Sequence, residues 1–558
     1  MNISLTRAQW TLILALTLAL APYFLRLGAS SLWDSNEAFY AETPREMIAS
    51  GDYVNPTFSY RPRLNKPPLS YWIVVPFYKL FGVSETVERL PIALAAMVMI
   101  AAAFGLGRLL FSLDAGLFAA LGLAIAIRFV MFSRRIMIDL YLATFMSLAL
   151  LMLVLAQRQP ERRRLFLILM YAFTGLAVIT KGPVAAVLMA IVLVTYIALY
   201  RRLRVRELML PAGLIIIVAV VLPWYVVIYF QHGWGYIETF LLSDNVSRYA
   251  QQVFGPRRGA WFYLPVIIGD FFPWSLFLVP LGWVAAQRLW CLLRGRSREQ
   301  TESEVTGLLA IWIAVIVLFF SLSKSKEDLY ILPVYPAAAA IVGGWFARGV
   351  AEKEGLLRRA TVVMAAALGA VGVAILYFSY RFSQAYDISG VNLIAWVAII
   401  GGLCALGAGA FKRTRIAIVV SALTMIASNY VFVLVTLPDF ERYKPVTRVC
   451  ELISSEARPD ALVGYYKAAY PSMAFYLKRP IFEYKEQKDL ENTFASGKEV
   501  FCLMAESDYE ALKEQLPPTV RVLASYPIFK VKLKRILDRV EPPQVVLISN
   551  KGGTNGAQ

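Results

Sequence analysis

Histidine is almost absent from this 558-residue chain, in which His232 stands alone. A zinc centre built on several imidazoles is therefore not expected, and a lone histidine reads as an interfacial loop residue. The four cysteines, Cys291, Cys404, Cys450 and Cys502, show no metal-ligand spacing. Cys450 and Cys502 read as two buried thiols, or as a pair if the compartment is oxidising. No Gly-rich phosphate loop, Cys/His motif or short-period repeat occurs, which sets aside P-loop nucleotide chemistry, zinc modules and solenoids. Charge is scarce as well. Only 17% of residues are charged, against about 25% in soluble domains.

Apolar residues fill the gap, at 58% of the chain. Runs of roughly 20 apolar residues, the length of a membrane-crossing helix, recur from near the N-terminus to about residue 436. About thirteen spans are expected, the first near 10–27, others near 115–132 and 263–286, the last near 415–436. A soluble protein could not hide so many helices that are apolar all round. Arg7 followed by the run Trp10 to Leu27 has the look of a signal peptide. With more spans following, it reads as an uncleaved first helix.

The net charge of +18 does not point to nucleic acid. Basic residues cluster at Arg158 to Arg164, Arg201 to Arg206, Arg288 to Arg298, Arg348 to Arg359 and Lys412 to Arg415, in every second gap between spans. That is the positive-inside pattern; some of these residues suit anionic lipid heads. It places the N-terminus in the cytoplasm and the loops 28–89 and 231–262, with the tail 437–558, outside. The expected fold is mainly α: a polytopic membrane domain over 1–436 and a small extracytoplasmic α/β domain over 437–558. In the tail, short apolar runs (Ala461 to Tyr465, Val500 to Met504) alternate with helix-like stretches such as Ser507 to Gln515.

The loop 28–89 holds the densest group of polar residues. Asp34 and Glu37, three apart, fit a capping box at a helix start. They also fit an acid–base role, since a carboxylate can take a proton from an attacking hydroxyl. Arg61, Arg63, Asn65 and Lys66 follow, then Pro67 and Pro68, which stiffen the approach to the membrane. Tyr71 and Trp72 suit the head-group level. Cations can neutralise a departing phosphate. Further cations stand at outside membrane edges, against the topology signal: Arg134 and Arg135 before Asp139, Lys181, and Lys324 and Lys326 near Tyr330. Snorkelling accounts for any one of them. Together they suggest a site for an anion such as a lipid phosphate.

In order along the chain come Leu32-Trp33 through Glu37, Tyr40-Ala-Glu42, Arg45-Glu46-Met47, Gly51-Asp52, Lys66-Pro67, Tyr71-Trp72, Thr180-Lys-Gly182, Leu222-Pro-Trp224, Trp261 to Pro265, Pro273-Trp274 and Ser323 to Pro333. With these the chain resembles the bacterial aminoarabinose transferases that modify lipid A. More broadly it resembles the GT-C membrane glycosyltransferases, which include the protein O-mannosyltransferases. The resemblance implies a sugar carried on a polyprenyl phosphate, transfer outside the cytoplasmic membrane with inversion, and an acceptor that is a lipid, a glycan or a protein.

Carried over by position, the resemblance makes Asp34, Glu37 and Asp139 the catalytic carboxylates. Lys66, Arg248 and Tyr330 become donor-phosphate contacts, with Arg61, Arg63, Arg134, Lys181, Lys324 and Lys326 as further cations. Asn36 and Tyr40 would touch sugar or acceptor. The chain departs from the pattern at four places. Asn36 stands where the family usually has Asp, and Phe39 where it often has Arg. Asn65 and Pro256 replace the Glu and His of the zinc-site pattern, so that zinc site is not expected; a divalent metal remains open. For the missing acid, three substitutes are open: Asp34, Glu37, or an acceptor that is already an anionic phosphate. A transporter or flippase of lipid-linked sugars is the alternative, though it calls for polar or broken helices at mid-membrane.

Overall fold

The computed structural model describes residues 5–200, 205–238, 240, 245, 247–252, 256–278, 282, 301–352, 354–383, 386–529 and 542–551. The basic cluster Arg288 to Arg298 and Cys291 lie outside them.

Among the described residues, eight helices have the length and composition to cross a membrane. Five are Glu85–Leu110 (α4), Ile138–Arg158 (α7), Pro160–Lys181 (whose α-helical part, Arg163–Lys181, is α8), Val205–His232 (α10 from Leu210) and Asp328–Gly349. Gly355–Arg381, Ser389–Ala410 and Thr414–Glu441 complete the set. Shorter apolar helices accompany them, including Leu69–Phe81 (α3), Leu113–Ala124 (α5), Val184–Tyr200 (α9) and Gly307–Leu322. The chain is a multi-pass membrane protein. α7 and Asp328–Gly349 are the most buried spans and form the centre of the bundle. Close approach of α4 and α5 depends on small residues: a Cβ on Gly107 would meet the Ala115 carbonyl oxygen at 2.8 Å.

Two expectations need correcting. The first apolar run is helical only over Arg7–Leu20 (α1), closed by a 3-10 turn, Ala21–Tyr23. The expected span 115–132 is two helices, α5 and Ile127–Phe132 (α6), with a break at Ile125 and Ala126. Two carbonyls beside the break find donors elsewhere: Tyr23 Oη donates to Ala124 O at 2.9 Å, and Asn429 Nδ2 to Ile125 O at 3.0 Å. That satisfies backbone groups that lipid could not. The loop 28–89 is highly structured. It contains Asn36–Ser50 (α2), a short hairpin of Thr57–Phe58 (β1) and Arg61–Pro62 (β2), and α3.

The C-terminal α/β domain is a five-stranded sheet in the order β4-β3-β5-β7-β6. Leu462–Tyr466 (β3) runs parallel to Phe482–Tyr484 (β4) and to Val500–Ala505 (β5). Gln544–Ser549 (β7) runs antiparallel to β5 and to Arg521–Pro527 (β6). Helices cover both faces, with Val449, Ile453 and Met473 packed on one and Leu490, Phe494 and Leu512 on the other. Cys450 and Cys502 are free, buried thiols in these two separate cores.

Candidate active site

Glu37 lies in the first turn of α2, but no capping box forms: Ser35 is the N-cap and makes no side-chain cap. Instead the Glu37 carboxylate turns inward. Arg89 of α4 donates to it through Nε at 2.8 Å and Nη2 at 2.9 Å. The amides of Trp33 and Ile136 donate at 2.8 and 3.3 Å. Arg89 also donates to the carbonyls of Leu27, Ser30 and Ser31. Both side chains are 1% exposed. Every strong acceptor position of Glu37 is engaged, so its evident work is to pin the loop to α4.

Asp34 faces the C-terminal domain. Ser472 donates to it through its amide at 2.8 Å and its hydroxyl at 2.7 Å. Burial pushes its carboxyl up to about 6, against the two Ser472 hydrogen bonds and the nearby Lys444. Asn36 is exposed at the start of α2. Tyr40 is buried and stacks on Tyr71 with ring centroids 5.6 Å apart.

A second group forms where α7 begins and α8 ends. Lys181, the last residue of α8, pairs with Asp139 in the first turn of α7. Each charge complements the dipole of the helix that carries it. Lys181 Nζ also lies 4.4 Å from the centre of the Tyr330 ring. Tyr330 rides on the 3-10 segment Asp328–Val334. That segment is tied at several points. Arg128 bridges Asp328 and Asp270, Tyr335 Oη donates to Asp270 at 2.8 Å, and Trp312 Nε1 donates to Pro333 O at 2.8 Å. Just before it, Arg258 Nη1 donates to Lys326 O at 2.8 Å.

The structure thus brings Asp139, Lys181 and Tyr330 together and seats the remaining cations variously. Lys66 is buried at the entry to α3. Arg63 lies 3.6 Å over the Phe39 ring, and Arg61 5.4 Å over Phe482 of the C-terminal domain. Arg134 is spent on the carbonyls of Pro22 and Arg26 at the end of the first helical segment. Lys326 donates to Ser323 O, and Lys324 is exposed. The Arg248 side chain lies outside the described residues. His232 Nε2 sits 2.7 Å from Asn55 Oδ1. Among the described residues, no three His, Cys, Asp or Glu side chains converge as metal ligands.

Sequence reasoning missed Arg89, Arg128, Asp270 and Ser472. A signal existed for the first three, because an ionisable residue within an apolar run is costly unless it has a partner. Arg135 is the member of its pair that faces the loop, half-buried with its guanidinium 5.6 Å over Trp33 and 5.4 Å over Phe132.

Over nearly its whole length the fold has a solved counterpart. The structure of ArnT from Cupriavidus metallidurans bound to undecaprenyl phosphate superposes with a TM-score of 0.79 at 22% identity, covering 99% of this chain and 100% of that one. The chain has an ArnT-like GT-C fold. Residues 65–226 match the family model of dolichyl-phosphate-mannose-protein mannosyltransferases. An uncharacterised protein of Aquifex aeolicus is 32% identical over 59% of this chain and 62% of its own length, so the chain spans just under two thirds of that relative. The undecaprenyl phosphate-alpha-4-amino-4-deoxy-L-arabinose arabinosyl transferase of Pseudomonas savastanoi is 27% identical over 70% of this chain and 71% of its own. The named relatives are transferases and lend the transporter alternative no support.

Proposed function

We propose that this protein transfers a sugar from a polyprenyl-phosphate-linked donor to an anionic acceptor of the cell envelope. The reaction takes place at the periplasmic face of the inner membrane, on the side that carries the α/β domain. Lys66, Lys181, Tyr330 and Arg248 receive the donor phosphate, and Arg135 takes the loop-facing cation role expected of Arg134. Attack from the opposite face forms the new bond at the anomeric carbon. The bond from that carbon to the phosphate oxygen breaks, and its electron pair leaves with the polyprenyl phosphate beside these cations.

One observation carries the choice of acceptor. The two carboxylates offered as base are both engaged, Asp34 by Ser472 and Glu37 by Arg89, and the third catalytic candidate, Asp139, is paired with Lys181. Asn36, at the family's usual acidic position, cannot take a proton. An acceptor oxygen already ionised at neutral pH, as on a phosphate, needs no base. It would meet Asn36 as a hydrogen-bond donor and Arg135 as a counter-charge.

The test is transfer from a panel of labelled polyprenyl-phosphate sugars by the protein reconstituted in nanodiscs with envelope lipid extract. Lys66→Ala and Lys181→Ala should each lower transfer at least about 100-fold, the loss of one preorganised charge contact. Normal transfer by both variants would sink the assignment.

A further inference from the structure

At the carboxyl edge of the C-terminal sheet, the chain leaves the parallel strands β3 and β5 towards opposite faces. Ser472–Leu477 follows β3 and packs with Val449 and Val463, while Glu506–Leu512 follows β5 and packs with Leu490 and Phe494. In open α/β sheets, the crevice at such a reversal is where ligands bind. Here a side chain of the membrane body reaches the exit of β3. It is Asp34, whose carboxylate accepts from the Ser472 amide and hydroxyl at 2.8 and 2.7 Å.

The surrounding contacts continue the seam. Leu32 N–H donates to Tyr476 Oη at 2.8 Å, and Ser31 N–H to Glu441 at 3.1 Å. Lys444 donates to Ser30 Oγ at 3.0 Å and to Ser31 O. At the far side of the loop, Ile481 N–H donates to the buried Ser59 Oγ at 2.7 Å. One short stretch of the α/β domain, 472–481, therefore grips the first loop on both sides of α2.

We propose that the ligand-binding edge of the α/β domain is a receptor for the first loop, and that Ser472 is a positioning residue that holds Asp34 so that Asn36 faces the reacting sugar. The domain then contributes to transfer by fixing a loop of its own chain rather than by binding an acceptor. The kinetic consequence rests on the proposed transfer reaction; the clasp does not, and the two are read separately.

Hydrogen exchange of the full chain in nanodiscs reads the clasp. Ser472→Ala should speed exchange at amides 32–37 by about ten-fold, the loss of one charge-assisted hydrogen bond, and leave α7 unchanged. Ser472→Thr, which keeps the hydroxyl, should restore protection. Transfer kinetics read the positioning. Ser472→Ala and Asp34→Asn should each lower kcat about ten-fold with donor KM within about two-fold, and the double variant should be no worse than either, as for residues acting as a unit. Unchanged exchange in Ser472→Ala overturns the clasp. Faster exchange with unchanged kcat overturns the positioning. So does loss of all transfer in Asp34→Asn with Ser472→Ala fully active, which would assign Asp34 to the chemistry. A wild-type chain that transfers no sugar sinks the reaction reading, and the exchange arm then supports or overturns the clasp by itself.

Discussion

Glu37 and Arg89 bury two opposite charges against each other, and the cost of removing one partner separates an anchor from a base. Glu37→Gln leaves the Arg89 guanidinium enclosed without a counter-charge, a loss of about 3–5 kcal/mol for pairs of this kind. An anchor predicts a clearly lower melting temperature in detergent, followed by tryptophan fluorescence. Unchanged melting with abolished transfer would instead mark Glu37 as the base. Asp34 makes a prediction about pH. Its carboxyl sits near 6 in the folded chain, against about 3.9 when unfolded. The folded state therefore holds the proton more tightly. The stabilisation this gives is fully present below about pH 4 and is lost as pH rises through 6. The groups that sense this charge are Lys444, Glu37, Cys450, Tyr465 and Tyr470. Loop protection in hydrogen exchange, corrected for intrinsic exchange rates, should fall between about pH 4 and pH 6, and Asp34→Asn should remove that fall; a fall that survives the substitution would assign it to another group. At this scale the sequence was readable where a charge broke a rule. Lys181 stood at an edge where the topology signal disfavours a cation, and it meets Asp139. The direction in which a carboxylate turns was not readable, because Asp34 and Glu37 find partners 438 and 52 residues away.

Among the elements, the 3-10 segment Asp328–Val334 matters most to the proposed donor site because it carries Tyr330 against Lys181. Arg128 ties it to Asp270, and Tyr335 completes the bond to that carboxylate. Arg128→Ala should loosen Tyr330 and raise donor KM by about ten-fold, roughly the loss of one charge-assisted bond, with kcat less affected. Steady-state kinetics over a donor series would check this, and an unchanged KM would show that the segment holds its place without Arg128. Apolar run length located most of the long helices. It could not show that α5 and α6 are separate, since Ile125 and Ala126 are as apolar as their neighbours. The break depends on Tyr23 and Asn429, distant in sequence, which supply the donors its carbonyls need. The loop 28–89 was hard to read for the opposite reason. Its polarity marked it as lying outside the bilayer, while its helices pack on other parts of the fold.

For the whole molecule, the two bodies are joined by a polar seam between the first loop and the α/β domain, and the proposed topology puts that seam in the periplasm. Lys498 lies on the exposed surface of the α/β domain. A Lys498→Cys chain should react with an impermeant maleimide in intact spheroplasts; labelling only after permeabilisation would reverse the orientation. The central claim is transfer from a polyprenyl-phosphate sugar to an anionic oxygen without a protein base. The most direct measurement gives the reconstituted protein one labelled donor and two acceptors that differ only in a phosphate group, a phosphorylated glycolipid and its dephosphorylated form. Label on the phosphorylated acceptor alone, with loss of transfer in Lys181→Ala, is the predicted result. Equal labelling of the dephosphorylated acceptor would contradict it.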